Sequence, residues 1–149
     1  MALALTELLA SLPKSHSGYN EIEQRFRSYM DIILKYQDEN GMWRQIIDRE
    51  DAYPETSGTA LILYSLAHGV RNKLLPYNLL EIIENGYAGL LDMIEEDGTI
   101  HGTCIGTPFQ INEDAYFNLP APVDDLHGHG PVILACAEIA LLRGLSGNP

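Results

Sequence analysis

Hydrophobic positions along this chain come in two textures. In the opening segment, MALALTELLASLP, Leu5, Leu8, Leu9 and Leu12 recur at i, i+3, i+4 and i+7, the spacing of one helix face. Thr6 and Glu7 interrupt that apolar run, and the basic start, continuous apolar core and cleavage site of a secretory leader are missing, so the segment reads as a packed helix. From Tyr19 to Tyr36 a stripe of Ile22, Phe26, Tyr29, Ile33 and Tyr36 faces away from Glu21, Gln24, Arg25, Arg27 and Asp31. This predicts an amphipathic second helix that ends at DENG, with Gly41 as its turn residue. A third helix, capped at Thr56 or Ser57, runs through ALILYSLAHGV and is apolar nearly all round, which requires burial on most sides. A fourth begins at Pro76 and gathers Leu79, Leu80, Ile83, Tyr87, Leu90, Leu91 and Ile94 on one side. After a long segment punctuated by Gly and Pro, Gly130-Pro131 opens a fifth, VILACAEIALL, again apolar nearly all round.

The two textures alternate: helices one, three and five are short and apolar, two and four longer and one-sided. Inner helices buried by outer ones give that alternation. The turns repeat as well. DENGMW at Asp38 to Trp43 and EEDGTI at Glu95 to Ile100 each follow an amphipathic helix, about 57 residues apart, which is the signature of an array of helical hairpins. The prediction is an all-α chain of about five main helices, a single domain over residues 1–149 forming part of an α/α toroid. About two and a half hairpins leave apolar flanks at both ends, because each hairpin in such an array covers its neighbour. The expectation is therefore self-association through those edges, or membership of something larger.

Composition narrows the partners. The net charge is −12 and the nine Lys and Arg are scattered singly, so a phosphate backbone meets repulsion and nucleic acid is excluded as a natural partner. No apolar run reaches the roughly 20 residues that span a bilayer, so no membrane partner is expected. Cys104 and Cys136 lie far apart without metal-type spacing, which points to a reducing cytoplasm rather than a disulfide framework.

The ordered segments MALALTELLASLP, QDENGMWRQIID, YPETSGTALILYSLAHGV, GYAGLLDMIEEDGTIHGTCIGT and AYFNLPAPVDDLHGHGPVILACAEI resemble the C-terminal half of the unsaturated rhamnogalacturonyl and glucuronyl hydrolases, glycoside hydrolase families 105 and 88. The resemblance covers essentially the whole chain. It implies an (α/α)6 barrel that hydrates the C4=C5 bond of a Δ-4,5-unsaturated uronic acid at the non-reducing end of a polysaccharide-derived oligosaccharide. Protonation of the vinyl ether and attack by water then give a hemiketal that collapses, with an aspartate as general acid/base. No metal or organic cofactor is implied. The family's two reaction-centre aspartates lie in its N-terminal half, and an Arg-Gly-Asn-Gly-Trp-like uronate contact precedes the helix that MALALTELL resembles. No catalytic residue is therefore assigned here. By that resemblance Met1 is expected to match an internal position of a longer hydrolase, and the chain alone is expected to bind the sugar weakly or not at all and to be inactive. A non-catalytic helical module for sugar binding or assembly is the alternative.

Candidate binding residues concentrate in DDLHGHGP, where Asp124, Asp125, His127 and His129 precede an inner helix and the glycines permit close approach to a ligand. The plain reading is a capped turn. A metal set of His127 and His129 with Asp124, Asp125, or His101 and Cys104 lacks a second spaced pair, so no metal is assigned. Trp43, the single tryptophan, either stacks on a sugar or plugs the loop onto the barrel end. Tyr116 offers a hydroxyl to substrate or packs. Glu55 is expected to cap the third helix, His68 to sit by a helix C-terminus, and Thr103 and Cys104 to lie buried in their loop.

Overall fold

The computed structural model of the chain describes residues 1–146; the last three residues of the closing GLSGNP lie outside the described residues. Six helices follow in order: α1 (Ala2–Ser11), α2 (Tyr19–Ile33), α3 (Thr56–Arg71), α4 (Leu80–Leu91), α5 (Glu113–Phe117) and α6 (Leu126–Ser146). Among the described residues there are two isolated bridges and no strand, and no helix is long and apolar enough to cross a membrane.

The layers follow the alternation in the sequence. The inner helices α1, α3 and α6 stand side by side, with α3 packed between the other two, while α2 lies outside against α1 and α4 outside against α3. Phe26 and Met30 of α2, Leu63, Leu66 and Ala67 of α3, Ile83 and Leu90 of α4, and Ala135 and Ile139 of α6 are completely buried and form one core. Across the inner row, Arg71 Nε donates to Glu138 Oε1 at 2.5 Å, joining α3 to α6, and Tyr64 donates its hydroxyl to Glu7 of α1. On the outside, Arg143 of α6 pairs with Glu84 of α4 and stacks over Tyr87.

Several expectations need correction. Two of the inner helices are not short, since α3 has 16 residues and α6 has 21, against 15 and 12 for the outer α2 and α4; only α1, with 10, is shorter than both. The last helix begins at Leu126, with Pro131 inside it. Gly128 serves packing rather than a loop, for a Cβ there would sit 2.4 Å from Thr103 Oγ1, whereas nothing lies within 4 Å of a Cβ on Gly130. Pro76 leads only into a 3-10 turn, Tyr77–Leu79, and α4 starts at Leu80. The short α5 interrupts the long loop without any apolar periodicity to announce it.

The apolar stripes also split between core and edge. Leu8 and Leu91 are each 45% exposed, whereas Thr6, which interrupts the apolar run, is fully buried and donates its hydroxyl to Ala2 O at 3.0 Å. Leu126, Ile133, Leu134 and Leu141 of α6 are exposed, so this helix is covered on one side only. At the other end of the row, Met1, Ala4, Leu5, Tyr29 and Ile32 line a groove of about 720 Å³ between α1 and α2.

The repeated turns are built alike. Gly41 donates its N–H to Asp38 O and Gly98 its N–H to Glu95 O, while Asp38 N donates to Met42 O and Glu95 N to Thr99 O, all at 2.8–2.9 Å. Both glycines have positive φ, +80° and +92°, the region open to glycine at little steric cost. The first turn also locks onto the next hairpin. A Cβ on Gly41 would lie 2.3 Å from Asn85 O, and one on Gly89 would lie 2.1 Å from Asn40 O. Gln37 Nε2 donates to both Gly41 O and Ile82 O.

Candidate functional site

The N-terminal ends of α3 and α6 emerge on the same side of the inner row, and the loops leading into them enclose a cleft of about 370 Å³ lined by Arg44, Gln45, Glu55, Cys104, Tyr116 and His127, among others. Each loop enters its helix through an acidic residue. Glu55 caps α3 directly, accepting from Ser57 N at 3.2 Å, Gly58 N at 2.5 Å and the Ser57 hydroxyl at 2.8 Å. Its Oε1 also accepts from Cys104 N at 3.0 Å, which ties the second loop to the first helix. Buried to 8% exposure, this carboxylate complements the positive end of α3. The cap is thus Glu55 itself, not Thr56 or Ser57.

At α6 the corresponding carboxylate is Asp125, whose Oδ1 accepts from His127 N at 2.9 Å and lies 2.6 Å from His127 Nδ1. Hydrogen bonds from the His127 backbone and ring hold the Asp125 carboxyl below the ordinary aspartate range. Asp124 takes a left-handed conformation, φ +62°. Its N–H donates to Ile100 O at 2.7 Å, and its Oδ1 is 3.2 Å from His129 Nε2.

The six sequence-derived candidates therefore separate. Tyr116 and His127 line the cleft, and Asp125 stands behind His127. Asp124 and His129 pair beside the cleft without lining it. Trp43 belongs to the core. It is 1% exposed, its Nε1 donates to Ile33 O at 2.8 Å and its backbone N to Thr59 Oγ1 at 3.0 Å, so no ring face is left for a sugar. Of the histidines in the metal alternative, His101 pairs with Glu95, His127 with Asp125 and His129 with Asp124; among the described residues no three His, Cys, Asp or Glu side chains converge to hold a metal ion.

Arg44 and Gln45 also line the cleft, although nothing in the sequence marked them except their place after the first turn. Arg44 binds Asp38 through both carboxylate oxygens, at 2.7 and 2.9 Å. Gln45 Nε2 donates to Tyr116 O at 2.8 Å and so pins α5 to the first loop. Arg49 reinforces that link, reaching Asp51, Glu113 and Asp114 and lying 3.8 Å over the Phe117 ring. Burial, with Cys104 and Glu55 nearby, pushes the Tyr116 hydroxyl above the ordinary phenol range, so it stays protonated and able to donate at neutral pH.

Comparison with known proteins accords with this architecture. Residues 1–142 match the sequence profile of Glycosyl Hydrolase Family 88. The unsaturated rhamnogalacturonyl hydrolase YesR of Bacillus subtilis (strain 168) is 26% identical over 140 residues, an alignment that takes in 93% of this chain and 38% of that protein. The unsaturated 3S-rhamnoglycuronyl hydrolase of Alteromonas sp. (strain LOR) is 24% identical over 145 residues, with 93% and 33% covered. A solved glycoside hydrolase from family 105 of C. acetobutylicum ATCC 824 superposes with a TM-score of 0.85 at 28% identity, over 94% of this chain and 43% of that one. The chain thus spans well under half the length of these relatives, and its helices form part of their (α/α)6 toroid.

Proposed function

The chain belongs to glycosyl hydrolase family 88, and from that premise we propose that it is the C-terminal portion of an unsaturated uronyl hydrolase, supplying a wall of the substrate cleft but not the catalytic aspartates. The complete toroid hydrates the C4=C5 bond of a Δ-4,5-unsaturated uronic acid at the end of an oligosaccharide of the rhamnogalacturonyl or glucuronyl type. One observation carries this reading: every carboxylate at the cleft is already engaged. Glu55 is held by four donors, Asp38 by Arg44 and Asp125 by His127. A general acid must release and regain a proton at the reacting atom, and a carboxylate fixed in a cap is poorly placed to do so.

The rest of the toroid would cover the exposed apolar residues of α6 and the α1–α2 groove. Without it, the same edges drive the chain to associate with itself. Free thiols at Cys104 and Cys136 suit a reducing, cytoplasmic setting.

The test is incubation of the purified chain with an unsaturated digalacturonate, following loss of absorbance of the conjugated double bond. No turnover is expected from the chain alone, and turnover is expected once the N-terminal portion of a family 105 relative is added. Turnover by the chain alone that Asp125→Asn abolishes would overturn the proposal. In the same preparation an apparent mass above the monomer, or binding of a hydrophobic dye, is expected; a monodisperse monomer that binds no dye counts against the edge argument. Engaged carboxylates also suit a non-catalytic sugar-binding or assembly module, the outcome to accept if complementation restores no turnover.

A further inference from the structure

A second cavity, of about 250 Å³, opens at the other end of the inner row, where α1 and α3 finish and α2 begins. His68, on its wall, lies roughly 20 Å along α3 from the Glu55 cap at the cleft. Leu9 and Leu74 give the cavity an apolar side, and Lys14, Tyr19, His68 and Asn72 supply its polar groups. All of these belong to helices and turns that this chain completes by itself. The volume lies below the usual range for drug-sized ligands, so the cavity suits a small molecule.

The carbonyls at the end of α3 are already taken. His68 O accepts from Asn72 N at 3.0 Å and from Asn72 Nδ2 at 2.9 Å, and Gly69 O accepts from Leu74 N at 2.8 Å and Leu75 N at 3.0 Å. The side chains are not. Tyr19 is only 4% exposed, yet its hydroxyl has no hydrogen-bond partner among the described residues, and Lys14 enters no ion pair among them. Asn72 keeps its Oδ1 as an acceptor. His68 Nδ1 is buried without a hydrogen bond and has Glu138 Oε1 at 3.3 Å, where Arg71 holds that carboxylate at 2.5 Å. The anion draws the ring proton to Nδ1, so Nε2, which no described residue engages, carries the lone pair. Glu138 is neutralised by Arg71, and Glu7 of α1 is bound by the Tyr64 hydroxyl, so Lys14 is the unbalanced charge on the wall.

We propose that this cavity binds a small hydroxy acid, with the ligand carboxylate on Lys14 and the Tyr19 hydroxyl, and a ligand hydroxyl donating to His68 Nε2. Pairing decides the class. A carboxylate only accepts, and Lys14 and Tyr19 are the donors present; a hydroxyl also donates, and Nε2 and Asn72 Oδ1 are the acceptors present. A plain acid leaves the acceptors unused, and a plain polyol leaves the ammonium without a counter-charge. The site is separate from the cleft and holds whether or not the chain is a portion of a larger hydrolase.

Three probes of related size test this: glycerate carries both groups, propionate only the carboxylate and glycerol only hydroxyls. Each is titrated at about pH 8 into the 149-residue chain while the imidazole ¹⁵N resonances are followed. Glycerate is expected to shift the His68 resonances saturably and to bind at least about fivefold tighter than propionate or glycerol. Lys14→Met is expected to lower glycerate affinity at least about fivefold and to leave glycerol unchanged. Tyr19→Phe, which keeps the ring in the core, is expected to lower glycerate affinity about threefold. Equal binding of glycerate and propionate, a glycerate affinity unchanged by either substitution, or no saturable His68 shift at roughly 50 mM glycerate, far above a millimolar Kd, would overturn the proposal. A saturable shift of His127 in place of His68 would move the ligand to the cleft and overturn it equally. These readouts need no turnover, so their failure is distinct from failure of the complementation experiment.

Discussion

The two hairpin units, α2 through α3 and α4 through α6, turn alike after residues 38 and 95 and then diverge. Trp43 and Ile100 occupy equivalent places after the turn: both are buried, and the carbonyl of each accepts from the acidic residue that precedes an inner helix, Glu55 N at 2.9 Å and Asp124 N at 2.7 Å. Between those anchor points the second unit carries a connection twice as long, and the extra residues form α5 and its flanks. The first unit closes tightly and places its carboxylate inside as a cap. The second opens outward, brings Tyr116 over the first unit's loop and sets its carboxylate against a histidine that faces solvent. A repeated frame thus yields a structural end and a chemical end by the insertion of one short segment.

The comparison is easiest to break at its anchors. Trp43→Ala removes the larger buried side chain and its indole hydrogen bond, and is expected to cost about 3–5 kcal/mol, against about 2–4 kcal/mol for Ile100→Ala, measured by urea denaturation. Equal losses would mean that the first unit does not carry the tighter closure. Next in size is Glu55→Ala, which strands the amides of Ser57, Gly58 and Cys104 and is expected to cost about 2–3 kcal/mol in the same assay. A loss within experimental error would show that Glu55 is no more structural than Asp125.

The smallest effect sharpens the contrast through pH. Asp125 lies below its ordinary range in the folded state, so its contribution is present above the unfolded carboxylate range and disappears as pH falls through the depressed folded value. Asn at this position can still accept from the His127 amide but does not titrate. The stability of Asp125→Asn is accordingly expected to fall less steeply than that of the parent chain below about pH 4, as read by thermal unfolding across acidic buffers. Identical acid limbs would remove Asp125 from the list of groups that distinguish the second unit.

Much of this contrast is legible in the residues, and the limits have physical reasons. The 3.6-residue stripes and the two DG turns announce the layered helices, and Glu55 before an apolar helix announces its own cap. Leu8 and Thr6 defeat the pattern because α1 stands at the end of the row, so an apolar residue faces an open edge while a threonine satisfies its hydroxyl within the helix and packs inside. Pro131 misleads because proline favours a first helical turn, yet the helix already runs from Leu126, with Gly128 fitted against Thr103. The cleft was half legible. Histidines and aspartates in a glycine-rich loop stand out, whereas Arg44 and Gln45 are ordinary polar residues whose placement comes from long-range contacts with Asp38 and Tyr116. Trp43 misleads in the opposite direction, since a lone tryptophan by a turn suits stacking and anchoring equally until its partners are known.

The interlock of Gly41 and Asn40 with Gly89 and Asn85 bears on how the molecule comes apart. In a linear array, cooperativity depends on the coupling between neighbouring units relative to the stability within each. Here the turn of one unit packs its backbone directly against the outer helix of the next, so each loses close contacts when the other is displaced. Such nearest-neighbour coupling is expected to make the two units melt in a single transition, keeping half-folded species with bare helix faces sparsely populated.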